Sequence, residues 1–155
     1  MRIQDHIVQV SREAFHEFFR YVKAVPADRL EWKPEGTGQT ILAMAREIAI
    51  SPTWAVQVLS AQSMTDGQRA EQFALMSSWT SVEVCEAQAT ARFVSFTELA
   101  ARLKDEELLE KRWLPFNGGR DHTKLEMLEY PRWNATYHTG QVAYIQTLYG
   151  DKDMH

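Results

Sequence analysis

Residues 1–26 read MRIQDHIVQVSREAFHEFFRYVKAVP. Ile3, Ile7, Val10, Ala14, Phe18, Tyr21, Val22 and Val25 recur at steps of three and four, which places them on one face of an α-helix. Arg2, Gln9, Arg12, Glu13, Arg20 and Lys23 fill the positions between them. Pro26 ends the run, because its ring pushes the preceding residue out of the α region. The stretch from Pro26 to Gln39 holds two prolines and two glycines and reads as a loop, with Trp32 as its apolar anchor.

Working outward, the same periodicity returns three times. Thr40 is a hydroxyl N-cap, and Ile41, Ala45, Ile48, Ala55 and Leu59 then follow one face. Pro52 lies inside that run and predicts a kinked but continuous helix. Residues 60–78 are polar and irregular around Asp66-Gly67 and read as a connection. Thr80-Ser81-Val82-Glu83 fits a capping box with Thr80 as the N-cap. Behind it Val82, Cys85, Ala89, Phe93, Phe96, Ala100 and Leu103 run in phase to about Lys104. Asn117-Gly118-Gly119, between short arms that carry Trp113 and Phe116, signals a tight turn and a two-stranded ribbon. Thr123-Lys124-Leu125-Glu126 is a second capping box, opening a fourth helix that reaches Tyr149-Gly150 with a bend at Pro131. Four amphipathic helices predict an all-α four-helix bundle, with a short β-ribbon between the third and fourth helices.

Composition narrows the function classes. The chain has 155 residues, the size of one domain over 1–155, with 45% hydrophobic and 25% charged residues. That balance excludes intrinsic disorder. A net charge of −4 argues against nucleic acid as a partner. A single cysteine excludes an internal disulfide and a cysteine-based zinc site, leaving five histidines as the material for metal or acid–base chemistry. The N-terminal segment is charged every few residues, and the apolar stretches are broken by Arg46, Glu47, Arg102 and Lys104. No leader or membrane span is expected, and the predicted location is the cytoplasm.

The fourth helix carries Trp133-Asn134-Ala135-Thr136-Tyr137-His138-Thr139-Gly140-Gln141. Residues four apart point the same way, so Asn134 and His138 share a face and Gln141 falls near it. That is the spacing at which a helix offers two donors to one metal, although an asparagine is a hard oxygen donor. Gly140 in mid-helix costs on the order of 1 kcal/mol against alanine and is expected to mark close approach of another backbone, the second helix or a partner subunit.

Tyr137-His138-Thr139-Gly140-Gln141-Val142, with Leu148-Tyr149-Gly150-Asp151 after it, resembles the C-terminal signature of the DinB-like (DNA-damage-inducible, YfiT-like) family. Residues 25–34, VPADRLEWKP, resemble that family's loop after the first helix, and residues 40–49, TILAMAREIA, resemble its second helix. The resemblance implies a four-helix bundle, often dimeric, with a divalent metal held by three histidines. It further implies thiol-dependent transferase or isomerase chemistry, or metal-dependent hydrolysis. The ligand positions carry over to Glu47, Asn134 and His138. Only His138 matches, and Thr139 stands where the family has arginine.

Glu47, Asn134 and His138 offer a carboxylate, an amide oxygen and an imidazole, a set suited to manganese, magnesium or iron more than to zinc or nickel. The cofactor expectation is thus a divalent ion (nickel, zinc, manganese or iron) or none. In the competing reading the three side chains form a hydrogen-bonded network across the bundle, as buried polar groups must. Trp54 lies two turns beyond Glu47, and Trp133, Tyr137 and Tyr144 flank the other face. With Gln141 they are expected to line a cavity for a small apolar or aromatic ligand, or else to pack the core. His6, His16, His122 and His155 read as peripheral, and Cys85 as a buried, inert thiol. Two functions follow: a divalent-metal-dependent transferase or hydrolase acting on a small molecule, with or without a thiol, or a non-catalytic homodimeric bundle for small-ligand binding or stress response.

Overall fold

The apolar steps of residues 3–23 form α1 (Ile3–Lys23), and the later runs form α2 (Ile41–Leu59), α4 (Val82–Arg102) and α5 (Lys124–Leu148). With them go a shorter helix, α3 (Asp66–Ser77), an antiparallel ribbon of β1 (Lys111–Leu114) and β2 (Arg120–Thr123), and short 3-10 turns in the connections. This computed structural model describes residues 1–115 and 118–155. The fold is all-α apart from the ribbon.

Around the bundle the order is α1, α5, α2, α4, each packed on its two neighbours. Gln146, near the end of α5, donates to the Tyr21 carbonyl near the end of α1 at 3.2 Å, so those helices run parallel. Glu47 meets His138 while Trp54 meets Tyr130, so α2 and α5 run antiparallel. Lys23 meets Glu86 while Phe15 meets Phe93, which sets α1 and α4 antiparallel. It follows that α2 and α4 point the same way, and the chain must cross the length of the bundle between them.

That crossover contains α3, where the sequence reading expected irregular chain. Thr65 accepts from the Gln68 backbone N–H at 3.2 Å, and Gln68 accepts from the Thr65 backbone N–H at 2.9 Å. This capping box starts a helix at Asp66-Gly67 despite the turn-like composition. None of its residues is buried, so it has no apolar stripe to reveal it. A second correction concerns α4. Its N-cap is Ser81 rather than Thr80, with the Ser81 hydroxyl accepting from Val84 at 3.3 Å, so no Thr80–Glu83 box forms.

The core lies between the four long helices, where Ile7, Phe18, Ile41, Ile48, Phe96 and Leu128 are shut off from solvent. Pro52 is accommodated within continuous α2. It cannot donate to the Ile48 carbonyl, and the Ser51 hydroxyl does so instead at 3.0 Å. Trp32 anchors the α1–α2 loop as expected, half-buried with its ring edge-on to Tyr149.

The ribbon pairs Lys111 with Thr123 and Leu114 with Arg120. Of the expected Asn-Gly-Gly turn, Asn117 lies outside the described residues. Gly118 and Gly119 take positive φ, and a Cβ on Gly119 would come within 2.6 Å of the Trp113 ring. Arg112 ties the ribbon to the bundle by donating to the Val58 carbonyl at the end of α2.

β2 runs directly into α5. Thr123 accepts from the Glu126 backbone N–H at 3.2 Å, and Glu126 accepts from the Thr123 backbone N–H at 2.7 Å and pairs with Arg120 at 2.9 Å. The Thr123 N–H, then Arg120, hold the Glu126 carboxyl at about 2. Thr123→Ala is expected to cost about 1 kcal/mol in urea unfolding. Among the described residues, no helix is long and apolar enough to cross a membrane.

Candidate functional site

The antiparallel seam of α2 and α5 brings Glu47 and His138 together, with Nε2 3.2 Å from Oε1. His138 is buried, whereas the Glu47 side chain is 36% exposed and forms the solvent-facing end of the pair. The other ring nitrogen, Nδ1, lies 2.6 Å from Gln141 Oε1, one turn further along α5. Gln39, just before α2, donates to the second Glu47 oxygen at 3.2 Å. The sequence therefore supplies a relay: Gln141, His138, Glu47, Gln39. Nε2 thus faces a carboxylate oxygen and Nδ1 an amide oxygen, so both edges of the ring are engaged by polar side chains. The His138 hydrogen bond holds the Glu47 carboxyl below the usual glutamate value, Gln39 adds to this, and burial works against it.

Asn134 is one turn before His138 on the same face and is buried. Its amide nitrogen lies close enough to favour the Glu47 charge, yet it makes no hydrogen bond.

A divalent metal does not fit this arrangement. The seam offers a single imidazole beside one carboxylate and one amide, and the Nε2 that would face an ion lies 3.2 Å from Glu47 Oε1 instead. Glu47, the second donor, is bonded to the very nitrogen that would have to turn to the ion. Among the described residues no group of three or more His, Cys, Asp or Glu side chains is placed to hold a metal. The hydrogen-bonded network is what the seam contains.

Aromatic rings continue from the pair along α5. Trp54 packs on Tyr130 at 4.3 Å, Tyr130 lies 6.1 Å from Trp133, Trp133 stacks on Tyr137 at 5.4 Å and 12°, and Tyr137 sits edge-on to His138. Burial, with the nearby Glu47 charge, pushes the Tyr130 hydroxyl up to about 12, so it stays a neutral donor. Beside this run, α2, the ribbon and the start of α5 enclose a cleft of about 510 Å³ lined by Trp54, Tyr130, Trp133, Met127, Arg120 and His122, among others. Trp54 and Trp133 thus border the cleft. Tyr137 and Tyr144 stand on the outer face of α5, 52% and 65% exposed, and Gln141 belongs to the relay.

Sequence reasoning passed over Tyr130 and Gln39. Tyr130 is two turns before His138, and the helical period alone could have found it. Gln39 reaches Glu47 only because the α1–α2 loop folds back, which no local signal carries. His122, read as peripheral, is half-buried with its Nε2 enclosed and without a hydrogen bond. Cys85 is buried and inert as expected, its thiol pushed up to about 11. His155 is held by Asp151 at 2.8 Å.

Gly140 corrects one expectation. Nothing lies within 4 Å of where its Cβ would stand, so the second helix does not approach it. The glycine is exposed in mid-helix, and Gly140→Ala is expected to raise the stability of the monomer by about 0.5–1 kcal/mol in chemical denaturation.

No family model and no curated protein matches this sequence. Solved structures do match in shape. YfiT from Bacillus subtilis, described as a probable metal-dependent hydrolase with an unusual four-helix bundle topology, superposes with a TM-score of 0.74 at 17% identity over 97% of this chain and 90% of its own. A DinB-like protein of the same organism, YjoA, gives a TM-score of 0.61 at 14% identity, covering 95% and 94%. The colibactin self-resistance protein ClbS, solved in complex with double-stranded DNA, gives 0.63 at 12% identity, covering 93% and 95%. The run of helices with a crossover between α2 and α4 is thus shared over nearly the whole chain, and this protein has the fold of the DinB/YfiT-like family.

Proposed function

We propose that this chain is a cytoplasmic, single-domain, small-ligand-binding protein of DinB/YfiT-like fold, working without a divalent metal at Glu47 and His138. The observation that carries this reading is the double engagement of His138, by Glu47 at 3.2 Å and Gln141 at 2.6 Å. The ligand occupies the cleft of Trp54, Tyr130 and Trp133, whose rings offer flat apolar contact, with the enclosed His122 Nε2 as a polar partner. YfiT's description as a probable metal-dependent hydrolase favours the other reading, a metal-dependent transferase or hydrolase, and the donor set here argues against it.

The test is elemental analysis of the purified protein with thermal shift in nickel, zinc, manganese and iron. A metal at one hundred times its Kd would stabilise the fold by about 2.7 kcal/mol. The expected result is no shift attributable to residues 47, 134 and 138. A shift abolished by His138→Ala would overturn the metal-free reading. A screen of small aromatic compounds by tryptophan fluorescence should find ligands whose binding Trp54→Ala weakens.

The outer face of α5 supports assembly as a homodimer. Trp133, Tyr137 and Tyr144 are each more than half exposed on either side of Gly140, where a second helix has room to cross closely. Sedimentation should give a dimer for the natural chain and a folded monomer for Gly140→Arg. ClbS was solved with duplex DNA, but the net charge of −4 here favours a small molecule, and no binding to a DNA duplex is expected in a gel shift at physiological salt.

A further inference from the structure

The α1–α4 seam lies across the bundle from Glu47 and His138 and is the least closely packed of the four. Here α1 and α4 leave a groove of about 520 Å³ whose floor is Phe15, Phe19, Ala89 and Phe93. Phe15 and Phe93 meet edge to face at 5.3 Å, so the floor is rigid and apolar. Val94 is 56% exposed along one wall.

The charges on its rim are unevenly used. At one end Glu86 is neutralised by Lys23 at 2.5 Å. At the other, Arg12 spreads its guanidinium 5.6 Å over the Phe93 ring and, among the described residues, forms no ion pair, with His16 one turn along the same face. Glu98, also on this rim, lies beyond ion-pair range of Arg12 and is exposed. A guanidinium laid on an aromatic ring keeps its edge N–H donors free for an oxyanion.

Volume decides what kind of occupant fits. A helix about 10 Å across and three turns long fills roughly 1,300 Å³. The groove is well below half of that, and within the range of small-molecule sites. From Glu86 to Glu98 it follows α4 for about 18 Å, long and narrow rather than round. We propose that this groove binds a single-chain anionic amphiphile, its apolar chain over Phe15, Phe19 and Phe93 and its carboxylate on Arg12. The site is separate from the α2–α5 seam and does not depend on the function proposed there.

The probe is dodecanoate, titrated into the full, isotope-labelled chain and followed by amide NMR. Saturable shifts confined to residues 12–19 and 86–98 are expected, with Kd on the order of tens of micromolar. Arg12→Gln should weaken binding about tenfold, the worth of one charge-assisted contact. Val94→Glu should weaken it at least as much by placing a carboxylate in the groove. Both positions are exposed, so the melting temperature should stay within about 2 °C of the natural chain's. Dodecyltrimethylammonium, with the same chain and the opposite charge, should bind about tenfold more weakly or not at all. Absence of saturable binding, shifts centred on the α2–α5 seam or spread over the whole spectrum, or equal affinity for the cationic probe would each overturn the proposal. So would unchanged affinity in Arg12→Gln, which decides the matter alone if Val94→Glu fails to fold.

Discussion

His138→Ala is expected to lower the stability of the chain by about 2–4 kcal/mol at neutral pH. The ring is 3% exposed, so its removal leaves a cavity between α2 and α5. The larger part of the loss is electrostatic: Glu47 loses the partner that favours its charge, and the Gln141 oxygen loses its donor. Because the Glu47 side chain is 36% exposed, water takes up part of the lost interaction, which keeps the cost below that of breaking a fully buried pair. A double-mutant cycle with Glu47→Gln should return a coupling of about 0.5–2 kcal/mol. The pH dependence follows from the Glu47 carboxyl, whose value in the folded state lies below the ordinary 4.5. Such a group contributes its full share above its unfolded value and loses it as pH falls through the folded one. Urea titrations of the natural chain and Glu47→Gln should therefore differ at pH 7 and converge as pH falls through the lowered folded-state value of Glu47. Zero coupling in the cycle would mean that the relay does not form in solution.

Phe96→Ala is expected to cost still more, about 3–5 kcal/mol, and to lower Tm by about 10–15 °C. Phe96 is completely buried on the inner face of α4, and its ring packs 5.4 Å from Phe93, which in turn meets Phe15 of α1. Truncation removes apolar area from the centre of the bundle, and the rigid helices around it cannot collapse to fill the void. Val94→Ala, two residues away but largely exposed, should change stability by less than about 0.5 kcal/mol. A Phe96→Ala cost below about 1.5 kcal/mol would contradict this account of the core.

The four long helices were legible because each buries one stripe, and a stripe at steps of three and four can be read directly. The ribbon and the start of α5 were legible too, through Gly118-Gly119 and the Thr123–Glu126 box, which are local devices. α3 was not, because a helix with no buried residue has no stripe. The Thr80 reading slipped by one residue, since two adjacent hydroxyl residues offer the same cap and Ser81 is the one that takes it. At the seam, Asn134 and His138 could be placed on one face from spacing alone. Glu47 entered only through resemblance, and Gln39 through nothing local.

Sequence by itself determined where the four long helices lie and which of their faces turn inward, because periodicity and capping act within a few residues. Tertiary structure alone decided that α2 and α4 run the same way and that Glu47 meets His138 rather than solvent. Such outcomes depend on contacts between residues far apart along the chain, as Glu47 and His138 are, and no short-range pattern encodes them. Of the five histidines, His138 is the one set into the α2–α5 seam, between a carboxylate and an amide oxygen.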